Sequence, residues 1–290
     1  MLTRQLGQTS LKVTAIGLGA MPLTMTGAPA RSTARDVIQS FLDGGGQLID
    51  CANVYTEDPA TVGENEQLVA AAIAGWRPAN SSGRSPVIAT KGGLRRTSSG
   101  WELDTSPGWL AQSCDASRQA LATDTIQLYQ LHAPDPNGDI RDAVTAMRAM
   151  QQQGKIRYLG LCNVGGEQIA AAREVAPITT VQNALHPRRK KALKQGVVAY
   201  CQAAAISFIA HSPVGGYHHY KTLHQDPVLL ELAQDYGTTS AGLSLAWLLA
   251  LGVIPIPGAR RRASIEASLA SLAIELSAET IETINQLEDW

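Results

Sequence analysis

Ile126-Gln127-Leu128-Tyr129-Gln130-Leu131-His132 is a short, nearly continuous apolar run, and residues 140–153 behind it carry apolar side chains three and four apart. The first pattern suits a strand buried on both faces, and the second an amphipathic helix. The same pair of patterns recurs along the chain. Strand-like runs lie at 13–18, 47–51, 87–90, 126–131, 158–162, 180–182, 207–210 and 253–256. Helix-like segments lie at 34–43, 65–73, 108–121, 140–153, 166–175, 193–204, 227–236 and 264–272. The strand starts are about 34 residues apart on average, and eight strand–helix units of that size predict a closed (β/α)8 barrel, an α/β TIM barrel. The barrel would occupy residues 1–290 as a single domain. An open doubly wound sheet would carry G-x-G-x-x-G after an early strand, and Gly17-Leu18-Gly19-Ala20-Met21 does not complete it.

Three pieces stand outside the alternation. Residues 1–12 read as an N-terminal β-hairpin plugging one end of the barrel, with Gly7-Gln8-Thr9-Ser10 as its turn. Residues 80–86 read as a surface loop. Ser277-Ala278-Glu279-Thr280 has helix-capping chemistry and starts an extra C-terminal helix.

The chain has 290 residues, 44% of them hydrophobic and 17% charged, enough apolar material for a large core. A net charge of -1 and a pI near 6.6 leave no basic field for nucleic acid or an anionic membrane. No stretch approaches the roughly 18 apolar residues of a membrane helix, and residues 1–13 lack the apolar centre of a signal peptide. The four cysteines, Cys51, Cys114, Cys162 and Cys201, form no C-x-x-C pair. They fit reduced thiols in a cytoplasmic protein better than zinc or disulfides. The expected partner is a small molecule. The oligomeric state stays open, leaning to a monomer.

In a barrel of this kind, chemistry gathers at the carboxyl ends of the strands. Asp50 ends the second run, Lys91 follows the third, and His132 follows the fourth; Asn163, Gln182 and His211-Ser212 stand at the fifth, sixth and seventh. A buried charge needs a partner, and Asp50 and Lys91 on adjacent strands can pair. Tyr55, five residues past Asp50, can reach over the same mouth. A phenol is a weak acid at neutral pH, and a neighbouring ammonium stabilises its anion. With His132 orienting a carbonyl oxygen, the four suit proton transfer coupled to hydride transfer.

These residues also carry a resemblance. Asp50-Cys51-Ala52-Asn53-Val54-Tyr55, Ile88-Ala89-Thr90-Lys91-Gly92-Gly93 and Leu128-Tyr129-Gln130-Leu131-His132 resemble the catalytic motifs of the aldo-keto reductase family. Arg4-Gln5-Leu6-Gly7, the run from Ala15 to Met21, residues 154–160, Val181-Gln182-Asn183 and residues 254–259 are similar to further family landmarks in the same order. The resemblance implies Tyr55 as general acid, Lys91 tuning it, Asp50 holding Lys91, and His132 positioning the carbonyl. It implies NADPH (NADP) as cofactor, with NAD possible. Asn163 and Gln182 match the positions that hold the nicotinamide amide. Ser212, Pro213, Val214 and Gly215 match a loop beside the pyrophosphate. Ile256, Pro257, Gly258, Ala259, Arg260, Arg261 and Arg262 match the adenosine end, and Ala20 and Met21 join the cofactor positions. His211 stands where the family commonly has a tyrosine stacked on the nicotinamide, and Cys162-Asn163 replaces Ser-Asn. Ser264, Ala267 and Ser268 stand where the family has an arginine and a Glu-Asn pair around the adenine. Ser264 is retained among the cofactor positions.

Several candidates read more plainly. Arg260-Arg261-Arg262 either forms a solvated face or pairs with a 2′-phosphate. Arg188-Arg189-Lys190-Lys191 reads as a solvated helix start. His218, His219 and His224 have no completing acid or cysteine, so no metal is expected. Cys51 reads as a packed, inert thiol, and Trp101 as either a wall of the substrate mouth or a surface anchor. The leading expectation is an NADPH-dependent oxidoreductase reducing an aldehyde or ketone. An NAD-linked dehydrogenase of a sugar or vitamin alcohol, a nucleotide-sensing regulatory subunit and an unrelated barrel lyase or isomerase are the alternatives.

Overall fold

The computed structural model describes residues 1–77 and 85–290. Two short strands, β1 (Thr3–Gln5) and β2 (Lys12–Thr14), pair antiparallel into the N-terminal hairpin. The barrel strands are β3 (Leu18–Gly19), β4 (Leu48–Asp50), β5 (Val87–Gly92), β8 (Ile126–Leu131), β9 (Ile156–Cys162), β10 (Ile178–Ala184), β11 (Ser207–His211) and β12 (Ile254–Pro255). All their pairings are parallel, and neighbours follow chain order. The ends of the sheet meet: the Gly17 and Gly19 N–H groups donate to the Pro255 and Pro257 carbonyls, each at 3.0 Å, and Gly19 bridges Gly258. Between β5 and β8 lies an antiparallel hairpin, β6 (Leu94–Thr97) and β7 (Gly100–Leu103).

The helices are α1 (Arg31–Asp43), α2 (Glu64–Ala74), α3 (Pro107–Ala120), α4 (Ile140–Gln152), α5 (Gly166–Val175), α6 (Lys191–Lys194), α7 (Val197–Ala203), α8 (Gly216–His224), α9 (Pro227–Asp235), α10 (Ser240–Ala250), α11 (Arg262–Ala270) and α12 (Ala278–Gln286). Ser277 caps α12 by accepting from the Thr280 N–H at 3.1 Å. Among the described residues, no helix is long and apolar enough to cross a membrane.

The alternation of side chains along each strand positions the site. Leu48, Val87, Ala89, Leu128, Ile209, Ile254 and Ile256 form one buried apolar cluster with Leu6 and Val13 of the hairpin region. Two residues further along their strands, past Leu48, Ala89 and Leu128, stand Asp50, Lys91 and Gln130. Period two puts them on the same inward face, one layer nearer the carboxyl ends. The hairpin thus closes the bottom, the apolar layer fills the middle, and a polar layer sits above it. Gly160 makes room for that layer, since a Cβ there would lie 2.3 Å from Thr180 Oγ1 and 2.8 Å from Gln130 Cγ.

Four sequence expectations need correction. Val13 belongs to β2 rather than to the first barrel strand, because its apolar burial comes from plugging the barrel. The expected helix 193–204 splits into α6 and α7 at Gly196, whose φ of +71° breaks the run. Hairpin β6–β7 and helices α8 and α10 were not foreseen; α10 is buried nearly all round, so it shows no one-sided apolar stripe. The run 188–191 is a solvated helix start only in part: Arg189 and Lys191 are exposed and α6 begins at Lys191, but Arg188 and Lys190 turn inward. Lys190 is buried and donates to the Pro187 carbonyl at 2.9 Å and to the Leu287 carbonyl, while Arg188 pairs with Asp226 at 2.7 Å. These side chains tie the end of α12 to the turn after β10. The loop expected at 80–86 lies largely outside the described residues.

Candidate active site

Asp50 is the hub of the polar layer. One carboxylate oxygen accepts from the Lys91 ammonium, and the other accepts from Gln182 at 2.7 Å and Gln130 at 3.1 Å. Lys91 also donates to the Cys51 carbonyl at 3.0 Å. Both charges are almost fully buried, at 3% and 1% exposure, so each depends on the other. Burial, the largest single influence, pulls the Lys91 ammonium down, but Asp50, Tyr55 and Cys162 together outweigh it and hold Lys91 above the ordinary lysine value.

Tyr55 leans over this pair from the loop after β4, with Lys91 Nζ 4.8 Å from its ring centroid. Its backbone is pinned where the Tyr55 carbonyl accepts from Thr24 Oγ1 at 2.5 Å. Burial pushes the phenol up to about 12, and the Lys91 charge pulls the other way without overcoming it. The ammonium therefore acts in the expected direction, yet the net shift is upward. The His132 ring stands edge-on to Tyr55 at 5.7 Å between centroids, and its buried Nδ1 has no partner among the described residues. Burial, then the charges of Lys91 and His211, push His132 well below the usual histidine range, so it is neutral at pH 7.

A second group lies beside the first. Asn163 adopts φ +59°, donates to the His132 carbonyl at 3.0 Å, and faces His211 with its Oδ1 3.1 Å from Nε2. The other His211 nitrogen is 3.1 Å from Ser212 Oγ. Burial pushes His211 down to about 4, so its ring is uncharged near neutrality. Gln182 commits Nε2 to Asp50, which leaves its Oε1 to accept. From Ser212 the chain turns through Pro213 and Val214 into Gly215 and the start of α8, with positive φ at Ser212, Gly215 and Gly216. Such a turn at a helix N-terminus directs N–H groups at one point.

Ala20, Met21, Ile256, Pro257, Gly258 and Ala259 line the seam where β3 meets β12. The expected phosphate ligands behave unequally. Arg260 spends its guanidinium on the Thr26 carbonyl at 2.5 Å and the Pro22 carbonyl at 3.4 Å. Arg262 pairs with Glu266 at 2.7 Å. Arg261, exposed at the N-cap of α11, has no side-chain partner among the described residues. Half-buried Ser264 uses its carbonyl to accept from Ser268.

Sequence reasoning missed Gln130, one of two amides in a mostly apolar strand, which gave it no signal of its own. It also missed the wall built by β6–β7. Trp101 donates from Nε1 to the Val54 carbonyl at 3.1 Å, its ring is 6.5 Å from Tyr55, and Arg96 donates to the Glu57 carbonyl at 3.0 Å. Cys51 is buried, donates to the Ala89 carbonyl, and is pushed well up by burial. Among the described residues, no group of three or more histidine, cysteine or acidic side chains is arranged to hold a metal.

Residues 15–289 match the family model described as the aldo/keto reductase family. The aldo-keto reductase yakc of Schizosaccharomyces pombe, whose name carries NADP(+), is 27% identical over 321 residues, covering 99% of this chain and 91% of that protein. An uncharacterized oxidoreductase of the same yeast is 30% identical over 204 residues; the match spans 69% of this chain and 65% of that protein's length. A crystal structure of an aldo/keto reductase from Klebsiella pneumoniae, in complex with NADP and acetate, superposes with a TM-score of 0.80 at 25% identity, over 99% of this chain and 97% of that one.

Proposed function

The chain belongs to the aldo/keto reductase family, and on that premise we propose that it uses NADPH to reduce the carbonyl of a small aldehyde or ketone to an alcohol. The observation that carries this reading is the convergence of Asp50, Lys91, Tyr55 and His132 at the carboxyl ends of three adjacent strands. The NADP in the names of two similar proteins supports the cofactor.

The residues present fit a nicotinamide dinucleotide. The Asn163 and Gln182 amides suit a carboxamide, the neutral His211 ring offers a stacking face, and the turn from Ser212 to Gly216 suits a pyrophosphate. Arg261 is the guanidinium left for a 2′-phosphate. Bound there, NADPH supplies the hydride.

Every other step belongs to the chain. Neutral His132 donates an N–H to the carbonyl oxygen and fixes its direction. Tyr55, fully protonated at neutral pH, delivers its hydroxyl proton to that oxygen as negative charge develops on it. Lys91 then faces the phenolate left behind, and Asp50 keeps Lys91 in place. Gln130 and Gln182 hold the Asp50 carboxylate so that it cannot swing away. Trp101 walls the mouth beside Tyr55 and helps keep water from the proton path.

The test is to titrate purified protein with NADPH and NADH and to follow NADPH consumption with 4-nitrobenzaldehyde. Tighter NADPH binding and aldehyde-dependent consumption are expected; binding with no turnover on any carbonyl would favour the regulatory reading. An NAD-linked dehydrogenase is the second reading, favoured by the engaged side chains of Arg260 and Arg262, and NADH binding as tightly as NADPH would select it.

A further inference from the structure

We propose that Glu66 is a positioning residue for this proton transfer: a buried carboxyl that takes up and releases one proton and so sets the electrostatic hold on Lys91 behind Tyr55. The inference rests on the proposed reaction for its consequence, though not for the ionisation itself.

Glu66 lies in the first turn of α2 and is fully buried. Its Oε1 accepts from Thr90 Oγ1 at 2.5 Å, and Thr90 is the residue before Lys91 in β5. Among the described residues, its Oε2 has no hydrogen-bond partner. The Ser117 hydroxyl of α3 faces the same carboxyl, and its Oγ is also unpartnered among the described residues. A buried carboxylate without a partner costs several kcal/mol, and such groups commonly take up a proton instead. One proton resolves both orphans here, because a protonated Oε2 can donate to Ser117. When that proton leaves, the Ser117 hydroxyl can rotate and donate back, so the site accommodates either state.

The charged neighbours make the consequence specific. Among the described residues, Lys91, on β5, is the cation whose charge reaches Glu66, and it is already engaged by Asp50 of β4. Cys51 beside Asp50, Cys114 on α3 and Tyr129 on β8 are all pushed upward by burial and stay neutral. Asp115 on α3 is paired with Lys155 and Arg118. Burial raises the Glu66 carboxyl to about 7, so its charge changes across neutral pH. Ionised Glu66 places a second negative charge behind Lys91 and makes the Tyr55 phenolate less favourable. Reduction should therefore slow as Glu66 loses its proton.

The experiment compares wild type with Glu66→Gln, which is permanently neutral, in single-turnover reduction of 4-nitrobenzaldehyde by NADPH across pH. The wild-type rate should fall roughly three- to tenfold through neutrality, matching a half-unit to one-unit rise in the Tyr55 pKa. Glu66→Gln should keep the acid-side rate throughout. Two readouts on ligand-free wild type need neither activity nor the variant. A protonated-carboxyl infrared band should disappear through neutrality, and the Lys91 Nζ NMR shift should move with the same midpoint. Absence of that band, an unmoved Lys91 signal, or an unchanged pH step in Glu66→Gln would each overturn the proposal. A moving band and Lys91 signal without any carbonyl reduction would refute the proposed reaction and support the ionisation and its coupling to Lys91.

Discussion

Gln182 donates to Asp50 at 2.7 Å, from a strand on the far side of the barrel interior. This bond, with that from Gln130, fixes a carboxylate whose principal partner is a buried ammonium. Asp50→Asn keeps the shape and deletes the charge, leaving Lys91 buried without a counter-ion. The expected cost is about 3–5 kcal/mol of stability, read by urea unfolding. A loss under about 1 kcal/mol would show that Lys91 finds water or another partner.

Tyr55→Phe removes one oxygen and keeps the ring against Trp101 and His132. Turnover should fall about 10²–10⁴-fold while NADPH affinity changes less than about threefold. Retention of more than about a tenth of the activity would end the assignment of Tyr55 as the acid.

Arg261→Ala should weaken NADPH binding about tenfold or more and leave NADH nearly unchanged, since a charge-assisted bond contributes about 1.5–3 kcal/mol. Arg262→Ala serves as the control, because its guanidinium is already paired with Glu266. Fluorescence titration with both cofactors reads the difference. Equal losses for the two cofactors would reject a phosphate contact.

His186 and His211 are pushed down to about 4, chiefly by burial. The unfolded chain takes protons on these rings near pH 6.5, whereas the folded one resists until about 4. Their contribution to stability is complete at neutral pH and is lost as pH falls through that window. Proton uptake on unfolding near pH 5.5 should drop by about one in His186→Asn, measured from the pH dependence of the urea midpoint.

Gly160→Ala should destabilise by about 1–3 kcal/mol, because the new methyl would meet Thr180 and Gln130. A displaced Gln130 would also loosen Asp50, so activity should fall with stability. An alanine variant as stable as wild type would mean that the polar layer can shift to admit it.

Much of this arrangement was legible because a charge at the end of an apolar run is locally conspicuous. Asp50, Lys91 and His132 stand out in that way, and the spacing of the runs carried the barrel. Gln130 did not stand out, since its partner is supplied by another strand. Val13 misled because plugging a barrel and forming its wall demand the same side chain. Lys190 misled because, besides the nearby Pro187 carbonyl, its acceptors are carbonyls 94 to 97 residues away. The Tyr55 phenol shows the limit for electrostatics: the helping cation was readable, but the burial that outweighs it was not.

The seam between β3 and β12 has two residues on each side, far less than the six or seven of most other barrel strands. Short pairings of this kind are where local opening begins, and amide exchange at Gly17 and Gly19 would report it. With the cofactor placed as proposed, the dinucleotide lies along that seam and staples it shut. Binding to the closed form alone would then protect the chain from proteolysis, in proportion to nucleotide supply. The half-life of the protein would thus follow its occupancy by nucleotide, through a join that plays no part in the chemistry.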